Sequence, residues 1–358
     1  MPIDLRNQKL AKLIVEHSIK AKPGERVLIT GSIEAQDLIF ALYKELILKG
    51  THPITKISIP GTAPFYYKYA KPHQLNHYPD VYDYMVKHCQ KIINIISSHN
   101  TKELTNIDPK KLTDRTKVTK PISDYIHNNS DKVSWVLVPY PCPALAQEAE
   151  MSETEYEKFV YDACLIDWKK LIRLMEKIKS KFKNNSKVHL IGEGVDLKFK
   201  VLGHKAVIGD GTCNMPDGEV FMAPIKDSIN GYIRFEYPAI RGGKEVTGIE
   251  LKFKDGKVVE SNASKNQDFL KQMLNVDEGS SYVGEFGIGC NAAVKKFTKE
   301  LLFDEKMGGT IHLALGKSYK ENGETNDSAI HWDIVKDMSN AKMIVDGKVI
   351  QENGKWKL

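Results

Sequence analysis

The stretch Ile92–Ser97, IINIIS, is an apolar run of a length that suits a buried β-strand better than a helix. Two similar runs, RVLIT at Arg26–Thr30 and VSWVLV at Val133–Val138, lie on either side of it in the sequence, and a further strand is expected near Ile54–Ile59. Segments with helical spacing or helix-ending signals lie among these strands, at Leu5–Ile19, Ala35–Lys49 and Val81–His88. Strands that alternate with helices are typical of a parallel sheet covered on both faces. We therefore predict an N-terminal α/β domain over residues 1–145, with a mostly parallel sheet and flanking helices.

The pattern changes after Asn184 to short alternating runs separated by turn residues. Three turns, Asp255-Gly256, Asp346-Gly347 and Asn353-Gly354, are typical of tight hairpins, because type I′ turns need positive φ at both central residues. The runs that alternate are Asp196–Val201, Gly231–Tyr237 and Val246–Phe253, with a helix expected at Lys265–Leu274. This pattern predicts an α+β C-terminal domain with a largely antiparallel, curved sheet over residues 188–358.

Residues 146–187 are predicted to form a helical connection between the two domains. Ser152 and Glu155 have the spacing of a capping box, so a helix should begin there. From Trp168 to Phe182 apolar residues recur at helical spacing with lysines between them, which indicates an amphipathic helix.

Composition narrows the class of protein. The 358 residues include 41% hydrophobic and 27% charged residues, as in ordinary globular chains, and the net charge of +6 comes from scattered lysines. We therefore expect no nucleic-acid partner. The sequence lacks an apolar run of about 18 residues, so we expect no membrane partner either. Five widely spaced cysteines without a CxxC pair favour reduced thiols in a cytoplasmic protein.

Several common catalytic motifs are absent from the sequence, including the P-loop, GxGxxG, HExxH and GxSxG. Isolated acids and imidazoles in apolar or glycine-rich settings stand out instead, all of them in the second half. They are Glu219, Glu285, Glu305, His312, His331 and Asp333. In a strand, residues i and i+2 point to the same face, so His331 and Asp333 can bind one ion together.

A metal site would explain these isolated groups, because a buried carboxylate or imidazole is costly unless it is paired or binds a cation. Oxygen and nitrogen ligands without thiolate suit zinc, cobalt, manganese or magnesium. Six candidates exceed the four ligands of one structural zinc, so two adjacent ions fit better, and such a pair can activate a bridging water. Each residue also has a simpler interpretation: a core histidine at His312, a hydrogen-bonded carboxylate at Glu285, or a metal-free contact between His331 and Asp333. The residues alone favour a metallohydrolase.

Over nearly its whole length the chain resembles the aminopeptidase T family of dinuclear metallopeptidases. The shared segments, in the family's order, are NMPDGEVFMAP at 214–224, the glycine-flanked Glu285, FDE at 303–305 before HLALGKSY at 312–319, and HWD at 331–333. The resemblance implies two divalent ions (zinc, cobalt, manganese or magnesium) bound by Glu219, Glu285, Glu305, His312, His331 and Asp333. It further implies that Glu285 bridges the metals and handles the proton of the attacking water, that Tyr319 donates a hydrogen bond to the oxyanion, and that the protein is a homodimer.

These observations together predict a metal-dependent aminopeptidase that hydrolyses the N-terminal residue from peptides with free N-termini. The C-terminal domain would bind the metals and the N-terminal domain would shape the cleft. One alternative is another dinuclear metallohydrolase, an amidase or a phosphoesterase. Phosphate substrates usually require arginines near the metals, and the sequence has only Arg234 and Arg241 after residue 173. A second alternative is a non-catalytic peptide-binding protein.

Overall fold

The computed structural model describes residues 4–129 and 132–358. The chain divides into two compact units. The first takes the chain up to Leu165 together with Gly211–Pro216, and the second takes Ile166–Asp210 and Asp217–Leu358. The division after Leu165 falls inside the segment predicted as a helical connection. The roles assigned to the predicted domains stay predictions.

The first unit consists of helices and four strands. Its helices are α1 (Leu5–Leu13), α2 (Gln36–Leu48), α3 (Thr62–Tyr69), α4 (Pro72–Leu75), α5 (Asp80–His88), α6 (Pro109–Asn128), α7 (Pro143–Glu148) and α8 (Glu153–Cys164). Its strands are β1 (Arg26–Ser32), β2 (His52–Ser58), β3 (Lys91–Ile96) and β4 (Ser134–Pro139). All four predicted strands are therefore present, with ends shifted by one or two residues.

The four strands form one parallel sheet in the order β2-β1-β3-β4. The register places Leu28 of β1 beside Ile92 of β3, and both side chains are fully buried. They share a core with Val86 of α5, Ile122 of α6 and Val133. Aliphatic residues fill these strands because a parallel sheet is covered on both faces. The predicted α/β fold of this part is confirmed.

Two helical regions differ from the sequence expectations. The helix expected at Leu5–Ile19 is α-helical only to Leu13 and continues as a π-helical turn, Ile14–Ser18. The twenty-residue α6 was not predicted at all. It contains Pro121 in its interior, where proline removes a backbone donor, and it has too few apolar residues for a clear helical period.

The outer side of β4 is paired by a distant segment of the same unit. The Leu137 N–H donates to the Cys213 carbonyl at 2.8 Å, and the Met215 N–H donates to the Leu137 carbonyl at 2.8 Å. Gly211–Pro216 thus pairs with β4 through one isolated parallel bridge, between Leu137 and Asn214, although it follows the first strands of the second unit in the sequence.

The second unit contains three helices and fifteen strands within the described residues. The helices are α9 (Trp168–Lys179), α10 (Gln267–Leu274) and α11 (Leu301–Asp304). The strands are β5 (Asn184–Gly192), β6 (Val195–Leu202), β7 (Val207–Ile208), β8 (Glu219–Met222), β9 (Asn230–Arg234), β10 (Ala239–Arg241), β11 (Lys244–Val246), β12 (Glu250–Lys254), β13 (Lys257–Asn262), β14 (Val283–Gly289), β15 (Thr310–Gly316), β16 (His331–Asp337), β17 (Ala341–Val345), β18 (Lys348–Glu352) and β19 (Lys355–Trp356).

Antiparallel pairing dominates this unit, as predicted. An eight-stranded sheet has the order β13-β12-β9-β6-β5-β17-β18-β19, and a five-stranded sheet has the order β16-β15-β14-β8-β7. The two sheets contact each other where the rings of Phe199 on β6 and Phe286 on β14 meet, with centroids 5.0 Å apart. The turns at Asp255, Asp346 and Asn353, each followed by glycine, all have the predicted positive φ.

The local helix signals between β4 and β5 in the sequence are also confirmed. The Glu155 N–H donates to Ser152 Oγ at 3.3 Å, and the Ser152 N–H donates back to Glu155 Oε2 at 3.0 Å, which completes the capping box of α8. Helix α9 buries Trp168, Leu171 and Met175 on its apolar face. Across residues 4–129 and 132–358, none of the helices has both the length and the apolar character needed to cross a membrane.

Candidate metal centre

The candidate site lies on the two central strands of the five-stranded sheet. Every residue of β14 and β15 is buried, including Glu285 on β14 and His312 on β15. Glu285 is paired with Ala314, and Ala314 is paired with Asp333 on β16. Because directly paired residues share a face, this register places two carboxylates on either side of one small side chain. His312, two residues before Ala314, points to the same face.

The imidazole of His312 occupies space that a glycine leaves open. Gly287 is the pairing partner of His312, and a Cβ at Gly287 would lie 2.0 Å from His312 Nε2. Any larger residue at position 287 would displace the ring. The glycines on either side of Glu285 in the sequence are therefore more than flexible spacers, since at least this one makes room for a candidate ligand.

Two groups of candidate ligands meet at His312. Glu219, Glu305 and His312 form one group, and Glu285, His312 and Asp333 form the other, with the ligand atoms of each group within 4.8 Å of one another. His312 Nε2 lies 3.4 Å from Glu219 Oε2 and 3.5 Å from Glu285 Oε1. Residues from four strands and from the end of α11 thus converge, as the sequence resemblance implies.

His331 and Tyr319 lie at the more exposed side of this cluster. His331 Nε2 is 3.4 Å from Asp333 Oδ2, while its Nδ1 is 2.7 Å from the Lys317 carbonyl. The carbonyl can only accept, so Nδ1 carries a proton and Nε2 is directed toward the carboxylates. The Tyr319 ring lies beside that of His331, with centroids 4.6 Å apart, and the tyrosine is 40% exposed.

Sequence reasoning missed a lysine in the middle of the acids. Lys306 follows the candidate ligand Glu305, is completely buried, and donates from Nζ to Glu219 Oε1 at 2.8 Å and to Glu305 Oε1. Its Nζ also lies 3.9 Å from Asp217 Oδ1. The closeness of Asp217 and Glu219 in the sequence was the available signal, because two acids at the start of an apolar run need a cation nearby if they are buried.

A second missed residue is Asn322, whose Nδ2 donates to Glu285 Oε2 at 2.8 Å. The amide holds one carboxylate oxygen of Glu285, and the other oxygen is left directed toward His312. Asn322 lies in a loop between β15 and β16 without a recognisable local motif, so its role depends on the tertiary structure.

The electrostatics of the cluster follow from burial and from crowding of like charges. Burial raises the pKa of Glu219, Glu285 and Glu305, although Lys306 or His312 opposes the shift. Burial lowers the pKa of both histidines, but the carboxylates around them outweigh it and raise the pKa of His312 to about 9 and of His331 to about 10. Burial raises the pKa of Asp333, but its histidine neighbours prevail and lower it overall. Such opposed shifts in one cluster are typical of functional sites.

Buried atoms without partners indicate that a cation fits beside these groups. Within the described part of the chain, Glu219 Oε2, both ring nitrogens of His312 and Asp333 Oδ1 are buried and lack a hydrogen-bond partner. Buried polar atoms in proteins rarely lack a hydrogen-bond partner. The donor set of carboxylate oxygens and imidazole nitrogen suits a hard or borderline divalent ion.

Comparison with known proteins agrees with this chemistry. The family model described as "Thermophilic metalloprotease (M29)" matches residues 4–356. Aminopeptidase AmpS of Bacillus subtilis is 26% identical over 99% of this chain and 100% of its own length. The structure of wild-type AmpT from Thermus thermophilus has a TM-score of 0.85 at 23% identity and covers 99% of both chains.

A more distant structure shares the fold alone. The 2,5-dihydroxypyridine dioxygenase of Pseudomonas putida has a TM-score of 0.60 at 12% identity, over 98% of this chain and 96% of its own. A shared fold does not fix the reaction, and the ligands must be argued from the site.

The family match covers nearly the whole chain, and the aminopeptidase relative matches it from end to end. The predicted aminopeptidase T family and enzyme class, a metallo-aminopeptidase that hydrolyses peptide bonds with a divalent metal, are therefore confirmed. On the evidence of its fold, its buried acids and histidines and this match, the chain belongs to the M29 family of thermophilic metalloproteases.

Proposed function

We propose that this protein removes the N-terminal residue from peptides with free N-termini, with at least one divalent ion bound by Glu285, His312, Asp333 and His331. The observation that carries the proposal is the set of buried, unpartnered ligand atoms that meet at His312. When bound, the ion supplies Lewis acidity, which lowers the pKa of a bound water and polarises the scissile carbonyl. Zinc, cobalt, manganese and magnesium all suit this set of ligands.

The sequence resemblance implies a second ion, for which Glu219 and Glu305 are the further ligands. Glu219 and Glu305 form one group of candidate ligands with His312, and Glu285 and Asp333 form the other with it, so His312 is common to both groups.

Glu285 is the proposed acceptor of the attacking water's proton. Its Oε2 accepts a hydrogen bond from Asn322, so the carboxylate plane is fixed and Oε1 stays directed into the cluster. Burial raises its pKa, which brings the carboxylate closer to the range useful for a general base.

Tyr319 is the proposed hydrogen-bond donor to the oxyanion. Its ring lies against His331 and its side chain is partly exposed, so its hydroxyl can meet a substrate carbonyl. Burial, followed by the charges of Asp333 and Glu285, raises the pKa of Tyr319, so the hydroxyl keeps its proton and can donate a hydrogen bond.

A phosphoesterase is the weaker alternative. Arg241, one of the two arginines after residue 173, donates from Nη1 to the His331 carbonyl at 2.6 Å. This guanidinium therefore supports the backbone of a candidate ligand and is already engaged. We also propose a cytoplasmic location, since all five cysteines are reduced in the structure, and a homodimer, for which the resemblance is the support.

Peptidase assays on purified protein test the proposal. The protein is stripped with a chelator, reloaded with Zn²⁺, Co²⁺ or Mn²⁺, and offered matched peptides with free and N-acetylated ends. We expect cleavage of the free peptide alone, with release of its first residue, and only after reloading. Equal cleavage of both peptides would contradict an aminopeptidase, and full activity in chelator would contradict the metal dependence.

A further inference from the structure

The buried ammonium of Lys306 lies where a divalent ion between Glu219 and Glu305 would have to be. Lys306 Nζ donates to Glu219 Oε1 at 2.8 Å and to Glu305 Oε1, and the side chain is completely buried. A metal bound by Glu219 and Glu305 would have only the second oxygen of each carboxylate, and the ammonium bonded to the first oxygens would repel it. The residues around Lys306 therefore do not fit a second divalent ion.

The backbone holds the lysine in this place. The Lys306 N–H donates to the Phe303 carbonyl at 3.0 Å, and the Lys306 carbonyl accepts from the Asn291 N–H at 2.9 Å. The next turn is held as well, since the Gly308 N–H donates to the Asn291 carbonyl at 3.0 Å. The main chain is therefore fixed on both sides, and the side chain that it directs into the cluster is completely buried.

Asp217, which is not among the implied metal ligands, is a third carboxylate beside the Lys306 ammonium. Asp217 Oδ1 lies 3.9 Å from Lys306 Nζ and accepts the Gly218 N–H at 2.9 Å. Gly209 leaves space for this carboxylate, because a Cβ there would lie 2.0 Å from Asp217 Oδ1. Three carboxylates therefore surround the ammonium of Lys306, so the lysine itself neutralises charge that a bound metal ion would otherwise neutralise.

We propose that Lys306 takes the place of one of the two divalent ions implied by the sequence resemblance, so that each chain binds a single divalent ion. This inference rests on the metal centre of the proposed function. The ion would be held by Glu285, His312, Asp333 and His331. Glu219 would link the two cations, since its Oε1 accepts from Lys306 while its Oε2, 3.4 Å from His312 Nε2, has no partner.

Metal stoichiometry of the full-length protein tests this inference. Protein saturated with Zn²⁺ and freed of excess ion by gel filtration is analysed for zinc per chain, and Mn²⁺-loaded protein is analysed by electron paramagnetic resonance. We expect one ion per chain and the spectrum of isolated Mn²⁺. Two ions per chain, or a spectrum of exchange-coupled pairs, would overturn the inference.

The variant Lys306→Ala should open the second position, because it leaves Glu219, Glu305 and Asp217 without their cation. We expect its zinc content to rise from one ion to two and its Mn²⁺ spectrum to become coupled. Lys336→Ala is the matched control: Lys336 is also fully buried, with Nζ 2.8 Å from Glu236 Oε1, but lies in another ion pair. A folded Lys306→Ala that still binds one ion would overturn the inference. If it fails to fold, the wild-type stoichiometry and spectrum decide.

The outcome is independent of peptidase activity. One ion per chain in a protein that cleaves no free peptide would contradict the proposed function and leave this inference standing. Two ions per chain in an active aminopeptidase would do the opposite.

Discussion

Strands β3 and β14 are both buried central strands, but they are built from different residues. In β3, Ile92, Ile93 and Ile95 fill the space on both faces of a parallel sheet. In β14, a carboxylate at Glu285 alternates with glycines, and Gly287 leaves space for the ring of His312. The comparison teaches that an interior strand can contribute its buried side chains either to stability or to chemistry. Small residues beside a lone acid mark the second kind.

The largest expected effect is that of Glu285→Gln on β14. The amide keeps the shape of the side chain but cannot take up a proton, so turnover should fall on the order of 10²–10⁴-fold. The measurement is kcat on a free peptide with metal content determined in parallel. A rate near that of the wild type would remove Glu285 from the reaction and make β14 a structural strand like β3.

A smaller effect is expected from adding one methyl group at Gly287. The new Cβ would lie 2.0 Å from His312 Nε2, so Gly287→Ala should displace the ring and weaken metal binding by roughly 10–100-fold. Competition with a chromogenic chelator measures the affinity.

The matched control for this variant is Gly31→Ala on β1. A Cβ at Gly31 would lie 3.2 Å from Ile95 Cβ. This contact is tight, but a small shift of the aliphatic side chain relieves it, unlike the 2.0 Å approach at Gly287. We expect unchanged metal affinity in this control. Equal affinities in both glycine variants would show that His312 is not a ligand.

The pH dependence of metal binding should further distinguish the metal site from the scaffold strand β3. The carboxylates raise the pKa of His312 to about 9 and of His331 to about 10, and a metal needs both rings neutral at the coordinating nitrogen. Apparent affinity should therefore increase with pH up to about 10, by roughly tenfold per unit for each proton displaced. Isothermal titration in buffers of different ionisation enthalpy counts those protons. Hydrogen exchange of the β3 amides should not respond to metal, and a pH-independent affinity would contradict the prediction.

The smallest expected effect is that of Ile93→Val on β3. Ile93 is fully buried, so loss of one methylene should lower the free energy of unfolding by about 0.5–1.5 kcal/mol. Urea unfolding measures the loss, and kcat should stay at the wild-type value. A marked fall in kcat at unchanged metal content would contradict the separation between scaffold strand and site strand.

Much of the fold could be predicted because its strongest signals are local. The apolar runs of β1, β3 and β4, the capping box of α8 and the hairpin turns each depend on neighbouring residues. Helix α6 could not be predicted in this way, because Pro121 interrupts the expected pattern and Ile122 is a rare buried residue on it. Tertiary contacts, which the sequence does not display, hold it in place.

The candidate site was predictable only in part for the same reason. Glu219 and Glu285 are 66 residues apart, so their approach follows from the sheet order and register, and the sequence indicated it through family resemblance alone. The adjacent Lys306 was overlooked because a lysine next to a glutamate usually lies at the surface. Here the turn after α11 directs it inward.

The pairing of Gly211–Pro216 with β4 has a consequence for dividing this protein into fragments. A fragment that ends at Leu165 would keep every strand of the parallel sheet but lose the partner of the Leu137 backbone groups. It would expose an unpaired edge strand, which is a template for aggregation. During synthesis, too, the Leu137 backbone groups of β4 have no partner until β5, β6 and β7 have been made, because Gly211–Pro216 follows them in the sequence. Part of the second unit is therefore synthesised before the first unit is complete.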